Sequence, residues 1–119
     1  MAILRQMLKS KIHGAVITKK ELHYNGSIGI DGNLLSQAGM IDGEKVQVLN
    51  FNNGQRFETY IIEEKKNSGV IALYGPAARC GEIGDKLCII SYLLASDEEI
   101  SKLDQEVVFV GEDNKIQQE

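Results

Sequence analysis

The chain has 119 residues, of which 13 are Lys or Arg and 17 are Asp or Glu, and its formal net charge at pH 7 is -4. This length fits a single domain, residues 1–119, that buries a core without disulfide or metal staples. A protein that binds nucleic acid or an anionic membrane would carry a basic patch, which this sequence lacks. The first residues show no export signal and no apolar run reaches membrane-spanning length, so we expect a cytoplasmic protein.

Short apolar runs rich in Val and Ile recur along the chain, interrupted at close intervals by Gly, Asn and Asp. This pattern predicts a mainly β domain and argues against a helical bundle. Eight short strands are predicted in chain order, at 3–8, 12–18, 27–31, 45–51, 57–63, 69–74, 86–94 and 107–111.

Two short helices are predicted between the strands. The first covers 33–38, with Asp31 as its cap and Gly39 as its stop. The second follows Ser96, whose spacing from Glu99 is that of a capping box. The two cysteines, Cys80 and Cys88, are too few for a disulfide framework or a zinc site, so we expect free, mostly buried thiols and no metal.

The dipeptide Gly26-Ser27 supports two interpretations. Asn25-Gly26 between alternating apolar residues is typical of a two-residue hairpin turn. A serine hydroxyl after a glycine can also attack the preceding carbonyl, so that the amide becomes an ester. Elimination and hydrolysis would then leave Ser27 as a pyruvoyl group, an electrophile that no ordinary side chain offers.

Three further clusters place reactive groups within or beside apolar strands: Lys11 to His13, Arg56 to Tyr60, and Tyr74 to Arg79. Strand alternation puts Arg56 and Tyr60 on one face and Thr59 on the other. Each cluster also has an ordinary structural explanation, such as solvated strand charges, a hydrogen-bonded histidine or a turn at Gly75-Pro76.

Taken together, these segments resemble the pyruvoyl-dependent aspartate alpha-decarboxylase family from about Met7 to Asn114. The similarity lies in ordered blocks at compatible spacing, namely Met7-Leu8 with Lys11-Ile12-His13, Leu22-His23-Tyr24-Asn25-Gly26-Ser27, Ala38-Gly39, Asn53-Gly54-Gln55-Arg56-Phe57-Glu58-Thr59-Tyr60, Gly75-Pro76-Ala77-Ala78-Arg79 and Gly84-Asp85. The resemblance implies a six-stranded double-psi β-barrel with short helices. It also implies a homotetramer with active sites at subunit contacts.

The implied activity is decarboxylation of L-aspartate to β-alanine for pantothenate biosynthesis. It would follow autocatalytic cleavage of a zymogen at Gly26-Ser27 into chains 1–26 and 27–119. The covalent pyruvoyl cofactor derived from Ser27 would form a Schiff base with the substrate amine.

The resemblance also implies roles for individual residues. Tyr60 matches the proton donor, and Thr59 matches the residue that assists cleavage and contacts substrate. Lys11 and Arg56 match the cationic substrate-binding positions, and we expect Arg56 to hold the retained side-chain carboxylate. The remaining positions are supporting residues and a loop close to the substrate, namely His13, Tyr24, Gly75, Pro76 and Ala77.

Two positions depart from the family pattern. Tyr74 stands where the family commonly has Asn, and Pro76 replaces an Ala. A phenol is longer than an amide and offers a single donor, which leaves the contribution of this loop to processing open. Three alternatives therefore remain at this point: an uncleaved double-psi barrel that serves as a binding module, a pyruvoyl decarboxylase with another amino-acid substrate, and an enzyme that needs a maturation factor.

Overall fold

Strands dominate the computed structural model of the chain, which describes residues 3–117. Eight strands occur in chain order: β1 (Leu4–Val16), β2 (Lys19–Glu21), β3 (Ser27–Asp31), β4 (Lys45–Asn50), β5 (Arg56–Glu64), β6 (Ile71–Tyr74), β7 (Lys86–Ser96) and β8 (Glu106–Phe109). The helices are α1 (Gly32–Ala38), α2 (Asp97–Ile100) and the 3₁₀ turns Gly75–Cys80 and Glu112–Asn114. The prediction of a mainly β fold with short helices is confirmed.

All eight strands belong to one sheet with the order β2-β6-β3-β5-β4-β7-β1-β8. Three pairs are parallel, namely β1 with β8, β2 with β6 and β3 with β5, and the others are antiparallel. Parallel neighbours require crossover connections, so segments distant in sequence meet in this sheet. The sheet thus has eight strands in a continuous order with edges at β2 and β8, whereas the family resemblance implies six strands in its barrel.

The number of strands equals the predicted eight, but the strand assignments differ from the sequence prediction in two places. Predicted strands 3–8 and 12–18 form the single strand β1, which pairs with β7 through irregularities between Leu8 and Ser10 and between His13 and Ala15. Such bulges shift the alternation of side chains, and the sequence pattern therefore suggested two strands. The unpredicted β2 is a charged three-residue strand held by parallel pairing to β6.

Both helices begin at their predicted capping residues, and α1 also ends at the predicted Gly39. Asp31 Oδ1 accepts from the backbone N–H of Asn33 at 2.8 Å, and Gly39 ends α1 in the left-handed conformation. At α2, the Ser96 side chain accepts from Glu99 N–H while Glu99 bonds the Ser96 backbone, which completes the predicted capping box. No helix within residues 3–117 has the length and apolarity needed to cross a membrane.

One face of the sheet carries the core. Fully buried side chains alternate with more exposed ones along β4, as Val46 and Val48 show, whereas all five residues of β3 are buried. Cys88 is buried and Cys80 is partly buried, and both are free thiols. The opposite face, called the outer face below, carries Lys11 and His13 of β1, Gln47 of β4, and Arg56 and Tyr60 of β5.

The expected hairpin at Asn25-Gly26 is wrong. The strands on either side of this segment, β2 and β3, do not pair with each other, because β6 lies between them. Neither Asn25 nor Gly26 has the positive φ that a type I′ turn requires at both central residues. The segment therefore connects two strands that flank a third, and its conformation is set by the loop packed against it.

Candidate active site

The Gly26-Ser27 bond lies at the start of β3. Ser27 is fully buried, whereas Gly26 is only partly buried. The Ser27 Oγ makes a long hydrogen bond of 3.5 Å to the carbonyl oxygen of Asn25. Such a bond is at the limit of useful length and holds the hydroxyl weakly. The buried Ser27 hydroxyl is thus bonded to the Asn25 carbonyl, one residue before the Gly26 carbonyl that it would attack.

Gly75 packs directly against this segment. Its φ is +65°, in the left-handed region, and a Cβ at this position would lie 2.6 Å from the Tyr24 carbonyl oxygen and 2.8 Å from both Gly26 N and Gly26 Cα. Only glycine satisfies both the conformation and the close approach. The start of the 3₁₀ turn Gly75–Cys80 therefore fixes the backbone before the scissile bond.

A cavity of about 370 Å³ opens beside Gly26. Sites for small ligands have volumes of about 300–1,000 Å³, so this cavity can hold an amino acid. It is lined by Gly26, Phe57, Glu58, Thr59, Tyr60, Pro76, Ala77 and Cys80. The structure thus brings together Gly26, the β5 residues Thr59 and Tyr60, and Pro76 and Ala77 of the loop that begins at Gly75. Cys80 lines the same cavity and was not predicted there, since an isolated cysteine carries no sequence signal for a site.

Thr59 and Tyr60 lie on different faces of β5. The parallel ladder pairs Ile28 with Ile61. The two residues before Ile61, Thr59 and Tyr60, line the cavity together with Gly26. Because successive strand residues point to opposite faces, Thr59 lies on the inward face with its pair Val46, and Tyr60 lies on the outer face with its pair Lys45.

The predicted cationic residues on β1 lie away from this cavity. Lys11 pairs with Ile90 of β7, Ile90 with Gln47 of β4, and Gln47 with Glu58 of β5. Three strand spacings separate Lys11 from Glu58, about 14 Å. Lys11 lies instead near Cys88, where burial raises the pKa of the thiol and the lysine charge opposes that shift.

His13 is similarly distant and is held by aromatic contacts. Its ring centroid lies 5.3 Å from that of Phe51 and 5.6 Å from that of Phe109, in tilted, edge-like arrangements. Aromatic pairs favour such geometry. A single chain therefore does not bring Lys11 or His13 to the Gly26 cavity, although both belong to the outer face that also carries Tyr60.

Arg56 lies at the exposed beginning of β5, also on the outer face. Its Nη1 donates to Gln47 Oε1 at 3.1 Å, and the same oxygen accepts from Tyr92 Oη at 2.7 Å. Nearby, Lys45 Nζ lies 3.3 Å from Glu58 Oε1, both largely exposed. Since its one bonded partner is a neutral amide, the Arg56 guanidinium keeps donors for an anionic ligand.

Tyr74 pairs with Ser27 across the β3–β6 ladder and is 6% exposed. Its hydroxyl donates to Glu64 Oε2 at 2.7 Å, and its ring centroid lies 4.8 Å from that of Tyr24. Burial, the hydrogen bond to Glu64 and the negative charge of Glu64 raise the pKa of Tyr74 to about 12. The sequence identified Tyr74 as unusual but missed Glu64, because a pair ten residues apart on different strands leaves no local pattern.

A larger cavity of about 550 Å³ lies on another side of the molecule, beside Asp31, Asn67 and Asn114. The Asp31 carboxylate there accepts backbone N–H bonds of 2.8–2.9 Å from Asn33, Asn67 and Gly69. The Asn114 amide likewise bonds the Val16 and Gly69 backbones. These polar groups are occupied in holding loops, so the cavity beside Gly26 is the better candidate site.

The fold and the cavity define a mainly β protein whose buried serine follows a glycine at the edge of a small-ligand site. The family model described as aspartate decarboxylase matches residues 3–117, and the chain belongs to this family. It is similar to the aspartate 1-decarboxylase of Thermoanaerobacter pseudethanolicus, at 51% identity over 93% of this chain and 95% of the relative. It is also similar to that of Bacillus subtilis, at 48% identity over 96% of this chain and 90% of the relative.

Proposed function

We propose that this protein is an aspartate 1-decarboxylase, a lyase that converts L-aspartate to β-alanine and carbon dioxide for pantothenate biosynthesis in the cytoplasm. The observation that carries the proposal is the cavity beside Gly26, where Thr59, Tyr60 and the loop from Gly75 meet the candidate cleavage bond. The family membership and the names of the similar proteins support the same substrate and reaction.

The proposed zymogen is the intact single domain 1–119, which cleaves itself into chains 1–26 and 27–119. Ser27 Oγ attacks the Gly26 carbonyl carbon, the amide bond breaks, and the hydroxyl proton passes to the Ser27 nitrogen. A base then takes the Ser27 Cα proton while the Cβ–O bond to the Gly26 carboxylate breaks, which leaves dehydroalanine. This tautomerises to an imine, water adds to the imine carbon, and the nitrogen departs as ammonia to leave the carbonyl. Thr59, which lines the cavity beside Gly26, donates its hydroxyl to the oxygen that becomes negative during the attack.

The residues around Ser27 fit a pyruvoyl group. Ser27 is fully buried, its hydroxyl has only a long bond to Asn25, and the cavity opens at the adjoining Gly26. The group would therefore be shielded from bulk water except at the face where substrate enters. When formed, it supplies a carbonyl that binds the substrate amine and accepts the electron pair released with carbon dioxide.

The surrounding side chains then bind and protonate the substrate. Tyr60, which lines the cavity beside Gly26, holds on its Oη the proton that replaces the departing carboxylate at the alpha-carbon. Arg56 binds the retained side-chain carboxylate, since a clamp on the departing carboxylate would stabilise the ground state more than the transition state. The backbone of Gly75, Pro76 and Ala77 borders the substrate.

A second copy of the chain completes the site in this proposal. Lys11 and His13 are too far from the Gly26 cavity of their own chain, yet they lie on the outer face with Arg56 and Tyr60. This face also exposes large apolar side chains, including Leu4, Tyr92, Leu94 and Val107. Packing outer faces in a homotetramer would bury these groups and bring Lys11 and His13 of one copy towards the cavity of another.

We further propose that the chain has the topology of a double-psi β-barrel, whose crossover connections place β1 beside β8 and β3 beside β5. The parallel pairing of each of these strands with a partner distant in sequence supports this topology. In that arrangement, two crossing connections bring β3 beside β5, and hence Gly26 to the same cavity as Thr59 and Tyr60.

Intact-mass measurement tests the proposed function. We expect the native protein to separate into masses for 1–26 and for 27–119 with a pyruvoyl terminus, while Ser27→Ala stays a single chain. The protein should release carbon dioxide from aspartate faster than from glutamate, histidine or ornithine. A native chain that stays uncleaved after prolonged incubation, alone and with added cell extract, would contradict the proposal and favour an uncleaved binding module. Cleavage only with extract would indicate a maturation factor.

A further inference from the structure

We propose that Tyr74, held by Glu64, is a positioning residue for self-cleavage at Gly26-Ser27, an inference that rests on the proposed function. The hydrogen bond fixes the Tyr74 ring, and the ring supports Tyr24, two residues before the scissile glycine. Tyr74 stands where the family commonly has Asn, and it acts on the cleavage segment through the contact of its ring with Tyr24.

The first part of this device is the bond between Tyr74 and Glu64. Glu64 ends β5 and Tyr74 ends β6, and the two side chains meet over Gly29 of the intervening strand β3. A Cβ on Gly29 would lie 2.9 Å from Tyr74 Cε2 and would collide with the Glu64 carboxylate. The absence of a side chain at Gly29 therefore makes room for the pair, and the pair joins the strands on both sides of β3.

The second part is the contact between Tyr74 and the cleavage segment. The Tyr24 ring, 55% exposed, lies at a tilt of 38° on the Tyr74 ring, which is 6% exposed. Lys19 Nζ lies 5.6 Å from the centre of the Tyr74 ring, a cation–π distance. The next residue, Gly75, touches the Tyr24 carbonyl and the Gly26 backbone. Tyr74 and Gly75 together hold residues 24–26 through both a side chain and the main chain.

The Tyr74 hydroxyl anchors the ring in this geometry and does not transfer a proton in the cleavage reaction. Its hydrogen is donated to Glu64, and burial together with the bond to Glu64 raises the pKa of the phenol to about 12, which makes it a weaker proton donor than an ordinary tyrosine. A direct proton-transfer role would require the hydroxyl to face Ser27. The structure therefore assigns to Tyr74 the placement of the Gly26 carbonyl relative to Ser27 Oγ.

Cleavage kinetics of the full chain, followed by intact mass from freshly synthesised protein, test this inference. Tyr74→Phe keeps the ring but removes the anchor, and Glu64→Leu removes the acceptor, so we expect each to slow cleavage about tenfold. The double variant should be no slower than either single one, because both changes break the same bond. Tyr74→Leu should be slower still, since it also loses the ring that supports Tyr24.

Two controls separate positioning from general stability. Glu64→Gln keeps an acceptor oxygen and should retain most of the native rate, and Glu63→Leu, at the exposed neighbouring position, should cleave as the native chain does. Turnover per cleaved chain should stay within about twofold in Tyr74→Phe, because the device acts before the enzyme is mature.

The outcomes distinguish this inference from the proposed function. A native chain that never cleaves would overturn both. Native cleavage with an unchanged rate in Tyr74→Phe would overturn the inference alone. Slower cleavage that matches the unfolded fraction measured by circular dichroism would also overturn it, because Tyr74 would then have only a structural role.

Discussion

Thr59 and Tyr60 are consecutive in β5, and their side chains lie on opposite faces of the sheet. Thr59 pairs with the buried Val46, whereas Tyr60 pairs with the exposed Lys45. Both residues line the cavity beside Gly26, Thr59 from the inward face and Tyr60 from the outer face. Adjacent residues can therefore serve the two successive reactions separately.

We predict that variants of these two residues affect different steps. Thr59→Ala should slow self-cleavage about 100-fold, the usual effect of removing one donor to a developing oxyanion, whereas Thr59→Ser should preserve it. Tyr60→Phe should cleave normally but lose about 100-fold or more in kcat. Intact mass reports the first step and carbon dioxide release the second. Loss of cleavage in Tyr60→Phe would contradict the separation, and Tyr92→Phe, a phenol on the same face, serves as control.

The contact of Gly75 with the scissile segment gives a second prediction. Gly75→Ala should lower stability by about 1–2 kcal/mol through its positive φ and should also block cleavage, because its Cβ would displace the Tyr24 carbonyl and Gly26. Gly39→Ala is the matched control, with φ of +67° and open space around it. It should lose similar stability in urea titrations and still cleave. Equal cleavage in both variants would rule out a specific effect at Gly75.

Local sequence signals predicted those parts of the fold that depend on neighbouring residues. The strand Ser27–Asp31 and the caps of α1 and α2 follow from short-range patterns and were predicted correctly. The charged strand β2 and the position of β6 between β2 and β3 depend on pairing across the chain, which leaves no period in the sequence. The hairpin at Asn25-Gly26 failed for this reason.

The same division applies to the candidate site. The resemblance selected Gly26, Thr59, Tyr60 and Pro76, and the structure gathers them around one cavity. It also selected Lys11, which one chain leaves about 14 Å from Glu58 of β5, three strand spacings away. A sequence pattern records which residues a site needs, but it does not record which copy of the chain supplies them.

Arg56 provides a third prediction, which concerns specificity. If the Arg56 guanidinium binds the retained carboxylate, Arg56→Ala removes a charged hydrogen-bonded pair worth roughly 1.5–3 kcal/mol. The variant should therefore lower kcat/KM for aspartate about 100-fold. It should also weaken the preference for aspartate over asparagine. Steady-state carbon dioxide release with both substrates measures this, with Arg79→Ala as the control for loss of a cation. An unchanged preference would exclude this role for Arg56.

A fourth prediction concerns the pH dependence of stability through Glu44. Burial raises the pKa of this carboxyl, but hydrogen bonds from Ser91 and the Ile41 N–H, together with Lys9 at 3.0 Å, lower it overall. Because the folded pKa lies below the unfolded one, the stabilisation is complete above about pH 4.5 and disappears as the pH falls through the folded pKa.

Glu44→Gln should therefore cost about 2 kcal/mol in the free energy of unfolding at pH 7, and less at pH 3.5. Urea unfolding at the two pH values measures the difference, with Glu63→Gln as an exposed control. A cost that is equal at both pH values would show that the charge of Glu44 contributes nothing.

The last prediction tests whether two copies share one site. Ser27→Ala cannot form the pyruvoyl group, and Lys11→Ala lacks a substrate-binding cation, so each variant alone should be inactive or nearly so. If Lys11 reaches the cavity of a neighbouring copy, mixed oligomers contain sites with Ser27 from one variant and Lys11 from the other. Random mixing at equal amounts would restore about one quarter of the native sites.

The matched control for this experiment pairs Ser27→Ala with Tyr60→Phe. Because Tyr60 lines the cavity beside Gly26 of its own chain, no mixture of these two variants forms a complete site, and we expect no recovery. Co-expression with two different affinity tags, followed by tandem purification, isolates the mixed oligomers for the assay. Recovery in the Tyr60 mixture would contradict this arrangement, because Tyr60 would then act in the site of another copy. No recovery in the Lys11 mixture would also contradict it, because Lys11 would then act in the site of its own chain.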